Sequence, residues 1–144
     1  MQKEPLEPLD GKIFIASGNR TGGHWKPDAI VDKYAVEKIK TIGEVYMVGS
    51  GLPEPDADHA LNLAHFSIAF VETVREFERT LRSCGVDATL THNVGLACGQ
   101  AVAGVIGRRQ YTYDVFGDTV NVASRCYSNA PTNTIMVTPQ MRRL

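Results

Sequence analysis

Residues 110–125 read QYTYDVFGDTVNVASR, and this stretch decides how the chain is organised. Aromatic and β-branched residues from 111 to 116 predict a strand that ends at Gly117. Asp118 follows, and its carboxylate is of the type that caps the free amides at the start of a helix. The apolar contacts of this helix are predicted to come from Val120, Val122 and Ala123.

Three polar residues accompany this strand and helix. Asn121 and Arg125 are four residues apart, just over one helical turn, so both side chains project from one face. Asp114 lies on the strand that leads into the helix. A carboxylate, an amide and a guanidinium are thus offered to one cleft beside a helix N-terminus, which favours phosphate. The alternative is a solvated helix face and an aspartate at a strand edge, and the spacing alone does not decide between them.

Length and composition predict one soluble globular domain. The chain has 144 residues, of which 43% are hydrophobic and 22% charged, as is ordinary for such domains. A net charge of −1 indicates no nucleic-acid partner, and no apolar run is long enough for membrane contact by this segment. The N-terminus lacks the apolar core of a signal peptide, and the three cysteines show no pairing pattern. We therefore expect a cytoplasmic location, either alone or as the cytosolic part of a longer membrane-anchored parent.

A β-hairpin is predicted on either side of Gly43. Residues 36–42 (VEKIKTI) and 44–50 (EVYMVGS) form its two strands. Strict alternation places one set of first-strand side chains on a single face: Val36, Lys38, Lys40 and Ile42. Two lysines on such a face suggest that it lines a cleft, and the alternative is an edge strand that lysine protects.

The remaining stretches predict one sheet with helices packed on it, an α/β or α+β sandwich. Apolar residues recur every three or four positions from Leu63 to Leu81, which predicts a long helix that Gly85 ends. In chain order the other predictions are a loose arm (1–12), a short strand (12–16), a loop (17–27), a strand (89–97), a second strand after a tight turn (99–107), a loop (129–133), a strand (134–138) and a helix from Pro139.

Two long segments resemble the catalytic domain of class III nucleotidyl cyclases, of the adenylyl cyclase type. They are VDKYAVEKIKTIGEVYMVGSGLP (31–53) and VGLACGQAVAGVIGRRQYTYDVFGDTVNVASR (94–125), which match in order and spacing. The resemblance implies a ferredoxin-like α+β sandwich that pairs head to tail with a second cyclase domain, with active sites in the shared interface. It also implies attack of a ribose 3′-hydroxyl on the α-phosphate of ATP or GTP, with release of pyrophosphate and help from two Mg²⁺ or Mn²⁺ ions.

The same resemblance assigns roles to four residues. Asn121 occupies the position that orients the ribose, and Arg125 the position that stabilises charge on the reacting phosphate. Lys40 and Asp114 occupy the base-selecting positions. Adenine has an acceptor at its ring nitrogen 1 and a donor at its amino group, which suit a lysine and an aspartate. Guanine reverses that edge, so this pair favours ATP.

The chain departs from the family pattern in three places. Residues 1–28 do not match, and neither Asp10 nor Asp28 is a candidate for the expected first metal-binding aspartate. Glu44 stands at the second metal position, where an aspartate is usual. The sequence also ends before the later strands and their phosphate-binding lysine. We therefore expect a partial domain over residues 29–144, truncated at both ends.

These departures leave two functional hypotheses. The first is an adenylate cyclase domain that converts ATP to cyclic AMP, with a heterodimer more readily active than a homodimer because a partner can supply the missing metal ligands. The second is a catalytically incompetent cyclase-like fragment that pairs with a complete cyclase and regulates it.

Overall fold

A computed structural model describes residues 8–18, 28–42, 45–52 and 54–143. The predicted arm over residues 1–7, the loop from 19 to 27, the hairpin turn at Gly43 and the residue Glu44 lie outside the described residues. Within the described ranges the strands are β1 (Pro8–Gly18), β2 (Glu37–Ile42), β3 (Val45–Ser50), β4 (His92–Ile106), β5 (Thr112–Phe116) and β6 (Thr134–Val137). The helices are α1 (Asp28–Val31), a 3-10 turn (Asp32–Tyr34), α2 (His59–Ser83), α3 (Asp118–Asn129) and α4 (Pro139–Arg142).

The strands form one sheet in the order β2-β3-β1-β4-β5, with β6 parallel to β4. β1 is its central strand, where Ile13 pairs with Gly49 of β3 on one side and with Ala97 of β4 on the other. The predicted short strand is therefore confirmed and longer than expected. The prediction of a loose arm over residues 1–12 is wrong from Pro8 onward, because β1 begins there. The N-terminal segment thus contains a strand, although its sequence does not match the family pattern. Main-chain hydrogen bonds to both neighbours satisfy this backbone whatever side chains it carries.

β4 is one continuous strand of 15 residues rather than the two strands with a tight turn that the glycines indicated. Gly99 has a φ of +157°, a value that L side chains rarely adopt, yet it still pairs with Gly11 of β1. Glycine there changes the local backbone without ending the strand. The turn predicted at Arg108 and Arg109 is confirmed, since these residues lie between β4 and β5.

Two cores lie on opposite faces of the sheet. The first core comprises Val31, Val36, Tyr46, Val48, Leu63, Phe66, Phe70, Val71, Val74, Leu90, Val94, Leu96 and Met141. The second core comprises Ile39, Met47, Leu52, Ala97, Ala101, Val115 and Ala123. Neighbouring residues of β3, such as Met47 and Val48, belong to different cores because alternate side chains of a strand point to opposite faces. The predicted apolar stripe of α2 thus covers one face, and α3 packs on the other.

β2 breaks the alternation predicted for it. Its register with β3 shifts between Lys38 and Lys40, so Lys38 pairs with Val48 whereas Lys40 pairs with Met47. The two lysines consequently point to opposite faces, and the expectation that they share one was wrong. Lys38 lies over the ring of Tyr46, with 5.2 Å from its Nζ to the ring centroid. The predicted hairpin is confirmed, since β2 pairs with β3 in antiparallel orientation. β2 also stands at one end of the sheet order, which agrees with the alternative hypothesis of an edge strand protected by lysine.

The start of α3 differs in detail from the prediction. Gly117 occupies the N-cap position with a φ of +129° and makes no side-chain cap hydrogen bond. Asp118 is instead the first helical residue, where its charge still interacts favourably with the helix dipole. Ala123 is fully buried as expected, whereas Val122 is 36% exposed and supplies no core contact. Helix α2 ends before Gly85, and α4 begins at Pro139, both as predicted.

None of the described helices is both long and apolar enough to cross a bilayer.

The buried His92 makes the stability of this fold sensitive to acid. It is 4% exposed at the start of β4, and its Nε2 has no hydrogen-bond partner among the described residues. Burial, and then the positive charge of Arg75, lower the pKa of the imidazole from its ordinary value of 6.5. The unfolded chain therefore binds more protons than the folded one over the pH range from about 6.5 down to the lowered pKa of the folded state.

We predict that the free energy of unfolding falls as the pH drops below about 6.5, and that His92→Phe weakens this dependence. Phenylalanine keeps a planar aromatic ring at this position but has no site that binds a proton. Urea unfolding of both proteins at pH 7.5 and pH 5.5 measures the difference. If the free energy of unfolding fell equally in both proteins between pH 7.5 and pH 5.5, a role for His92 would be contradicted.

Candidate active site

The central contact of the candidate site joins Lys40 to Asp114. Lys40 Nζ donates to Asp114 Oδ2 at 2.8 Å, although 74 positions separate the residues in the sequence. Their side chains are 30% and 17% exposed, so both charges are mostly shielded from water. β2 and β5 stand at the two ends of the five-strand order, and the sheet must curve strongly for their side chains to meet.

Both partners keep hydrogen-bonding capacity beyond this ion pair. Asp114 Oδ1 accepts from the backbone amide of Val115 at 2.8 Å, which fixes the carboxylate from a second side. A lysine ammonium has three donors and each carboxylate oxygen has two lone pairs. The pair can therefore offer one donor and one acceptor to a ligand while Lys40 and Asp114 remain bonded.

Asn121 and Arg125 are both exposed on α3, so they share one face of the helix, as their spacing predicted. The helix follows β5 after the single residue Gly117, so its first turn lies close in the chain to Asp114. Ala123, midway between the two polar residues in sequence, is fully buried. The polar pair thus faces away from the sheet on a helix whose opposite side is packed.

The second core connects these four residues. Ile39, Val115 and Ala123 all belong to it. Ile39 directly precedes Lys40, Val115 directly follows Asp114, and Ala123 separates Asn121 from Arg125. The structure therefore joins Lys40 to Asp114 by direct contact, whereas Asn121 and Arg125 are related to that pair only through their chain neighbours in this cluster.

α3 approaches the sheet closely at Gly95 of β4. A Cβ at that position would lie 2.3 Å from the backbone nitrogen of Tyr127 and 2.4 Å from the carbonyl oxygen of Ala123. Real Cβ atoms are not found so close to backbone atoms, so glycine is required for this helix position. This role of Gly95 could not be predicted from the sequence, because glycine in a strand has several other uses.

The described residues do not make up a metal site. They contain no group of three or more His, Cys, Asp or Glu residues able to hold a metal ion. At the end of β1, Ser17 pairs with Val45, the first residue of β3 and the neighbour of the predicted ligand Glu44. Asp10 pairs with Gln100, seven residues along β1 from Ser17, a separation of roughly 23 Å. The expectation that Asp10 is not a candidate ligand stays a prediction.

Tyr113 is a polar residue near the site that sequence reasoning did not single out. It precedes Asp114 on β5, and its hydroxyl is buried without a hydrogen-bond partner among the described residues. Burial, and then the negative charge of Glu37, raise the pKa of the Tyr113 phenol. The hydroxyl therefore stays protonated at neutral pH.

Comparisons with known proteins agree on one family. Residues 24–144 match the adenylate and guanylate cyclase catalytic domain. An adenylate cyclase of Mycobacterium tuberculosis is 41% identical over 110 residues, covering 76% of this chain and 24% of the relative. The receptor-type guanylate cyclase gcy-28 of Caenorhabditis elegans is 42% identical over 102 residues, covering 71% of this chain and 8% of the relative.

The solved structures confirm the predicted fold class. The crystal structure of the adenylyl cyclase CyaB from P. aeruginosa matches 97% of this chain and 82% of that chain, with a TM-score of 0.86 at 18% identity. The chain spans about a quarter or less of the length of the two curated relatives named above. The domain boundary predicted between residues 28 and 29 stays a prediction.

The Lys40–Asp114 pair should contribute measurably to stability without any ligand. We predict that Lys40→Met and Asp114→Asn, made singly and together, give a coupling energy of about 1 kcal/mol in urea unfolding. Lys40→Met leaves the Asp114 carboxylate without its cation, and Asp114→Asn removes the negative charge that pairs with Lys40.

The control cycle uses Arg75 and Glu72 on α2, whose nitrogen and oxygen lie 3.7 Å apart and whose side chains are 59% and 61% exposed. Its coupling energy should not exceed about 0.3 kcal/mol. Equal coupling in the two cycles would contradict the structural role of the Lys40–Asp114 pair.

Proposed function

Because the chain belongs to the adenylate and guanylate cyclase catalytic domain family, we propose that it binds ATP and acts in the formation of cyclic AMP. The relatives include proteins named adenylate cyclase and proteins named guanylate cyclase, so the choice of base must come from this chain's own residues. The proposal depends on one observation, the bond of 2.8 Å between Lys40 Nζ and Asp114 Oδ2.

The chemistry of this pair matches adenine. A second N–H of Lys40 can donate to the acceptor at ring nitrogen 1, and a free lone pair of Asp114 can accept from the exocyclic amino group. Guanine presents a donor at the ring nitrogen and an acceptor at the neighbouring oxygen. With the two residues held in fixed positions, the guanine edge places donor against donor and acceptor against acceptor, which discriminates strongly in a half-buried site.

The exposed pair on α3 would act on the ribose and the phosphate. In the proposed reaction the 3′-oxygen of the ribose forms a bond to the α-phosphorus and loses its proton. The bond from that phosphorus to the oxygen bridging to the β-phosphate breaks, and pyrophosphate leaves. Asn121 would orient the ribose so that the attack is in line, and Arg125 would donate to the phosphate oxygens on which charge accumulates.

Members of this family generally use divalent metal ions, here expected to be Mg²⁺ or Mn²⁺. Since the described residues do not form such a site, we propose that a second cyclase domain supplies the metal ligands across a dimer interface. A heterodimer with a metal-competent domain is favoured over a homodimer because the sequence has Glu44 at one metal position and no matching aspartate for the other.

The residues at the junction of β1 and β3 favour a second candidate function. At the junction of β1 and β3 the paired residues are Ser17 and Val45, and neither is a carboxylate. A domain of this kind could pair with a complete cyclase and regulate it without turnover of its own. Cyclic AMP production from ATP and Mn²⁺, measured with and without a metal-competent domain, separates the two. Activity that requires the partner and is lost on changing Asn121 supports catalysis by this chain.

A change of base preference tests the assignment of Lys40 and Asp114. In the active pair of domains, which is this chain together with a metal-competent cyclase domain, Lys40→Glu is combined with Asp114→Cys. This double change should lower the ratio of ATP to GTP turnover by roughly tenfold or more. Steady-state rates of cyclic AMP formation from ATP and of cyclic GMP formation from GTP, measured for each variant, give this ratio.

The matched control is Lys38→Glu, a charge reversal on the same strand but on the opposite face of the sheet. It should leave the ratio within about twofold of the wild type, because Lys38 lies over the Tyr46 ring on the face of the sheet away from Lys40. An unchanged ratio in the Lys40 and Asp114 double variant would refute their role in base selection.

Arg125→Ala should lower kcat by roughly a hundredfold and leave KM for ATP within about threefold, because the guanidinium is proposed to act on charge that develops during the reaction. Initial rates over a range of ATP concentrations provide both constants. Arg79→Ala, at an exposed position of α2, serves as the control. A loss confined to KM would show that Arg125 contributes binding alone.

A further inference from the structure

Thr119 connects the first turn of α3 to β4. It is 8% exposed, and its hydroxyl Oγ1 donates to the carbonyl oxygen of Gln100 at 2.6 Å. It stands two residues before Asn121, about 200° around the helix, so the two side chains project from nearly opposite sides. The bond therefore fixes the buried side of the turn whose exposed side carries Asn121.

The sheet is shaped to receive this hydroxyl. Gly99, next to the acceptor Gln100, would place a Cβ only 2.6 Å from Thr119 Oγ1. Any side chain at position 99 would displace the hydroxyl, and the φ of +157° at Gly99 is itself rarely adopted by other residues. The close contact between β4 and the first turn of α3 thus requires both glycine at position 99 and the hydroxyl of Thr119.

The other contacts of the helix start constrain it less. Gly117 provides no side-chain cap, and the amide of Asn121 reaches the carbonyl of Gly117 only at 3.3 Å. Further along, the helix rests on Gly95 through the backbone of Ala123 and Tyr127. Such packing fixes the distance to the sheet but is not directional, so it leaves the rotation of the first turn open.

We propose that Thr119 is a positioning residue for Asn121. Its hydroxyl sets the rotation and the axial position of the first turn of α3, and thereby the place of the amide that orients the ribose. This inference rests on the proposed function, since it concerns the placement of Asn121 in that reaction. Displacements of about 1 Å in a reacting geometry can lower rates by up to roughly a hundredfold.

Thr119→Val removes the hydroxyl and keeps the branched shape. In the active pair of domains it should lower kcat roughly tenfold or more with KM changed less than about threefold, and Thr119→Ser should recover most of the rate. Thr73→Val is the matched control, because the Thr73 hydroxyl also donates to a carbonyl, that of Ala69, at 2.8 Å within α2. It should leave kcat unchanged. An equal loss in both valine variants, or no rescue by serine, would overturn the proposal.

A second comparison shows whether Thr119 acts through Asn121. When Asn121→Ala is already present, adding Thr119→Val should lower kcat by less than about twofold, because the group that it positions is gone. If kcat of the double variant fell by the product of the two single-variant factors, Thr119 would act independently of Asn121, and the proposal would be overturned.

Amide hydrogen exchange distinguishes a failure of this inference from a failure of the proposed function, because it requires no turnover. Thr119→Val should raise the exchange rate of the Asn121 amide several-fold relative to the wild type and to Thr73→Val. Unchanged exchange would overturn the inference even in a protein that makes cyclic AMP. Raised exchange in a protein that converts neither nucleotide would support the anchoring of α3 and refute the proposed function.

Discussion

Packing of the second core is the constraint on which the candidate site depends. Its members come from β2, β3, β4, β5 and α3, together with Leu52 just after β3. Ile39 and Val115 draw two end strands of the sheet towards one cluster, and Ala123 places α3 upon it. Apolar burial of this kind has no direction of its own, so polar contacts at the edge of the cluster must set the final geometry. The ion pair of Lys40 with Asp114 and the Thr119 hydroxyl provide two such contacts.

The ion pair also explains how charged residues are tolerated beside an apolar cluster. A shielded lysine or aspartate alone would lose favourable hydration, whereas each satisfies the other here. Because an ammonium has three donors and a carboxylate has several lone pairs, the pair can make further hydrogen bonds without separating. A site organised before the ligand arrives avoids part of the cost of ordering side chains on binding.

The sequence predicted those features that depend on local pattern, and missed those that depend on neighbours. The strand from 111 to 116, the long α2 helix and the hairpin around Gly43 follow from alternation, apolar spacing and turn residues. The bulge between Lys38 and Lys40 has no such signature, since it is fixed by pairing with β3. The central position of β1 and the continuity of β4 likewise arise from strand pairing over long sequence distances. For the site, spacing placed Asn121 and Arg125 on one face, but the contact across 74 positions required the curved sheet.

We propose above all that Lys40 and Asp114 recognise the base as adenine. Equilibrium dissociation constants for ATP and GTP, measured on the wild-type chain together with a metal-competent cyclase domain, test it most directly. We predict that ATP binds at least about tenfold more tightly than GTP, since only adenine matches the donor and acceptor that the pair presents. Equal affinities, or tighter binding of GTP, would contradict the claim.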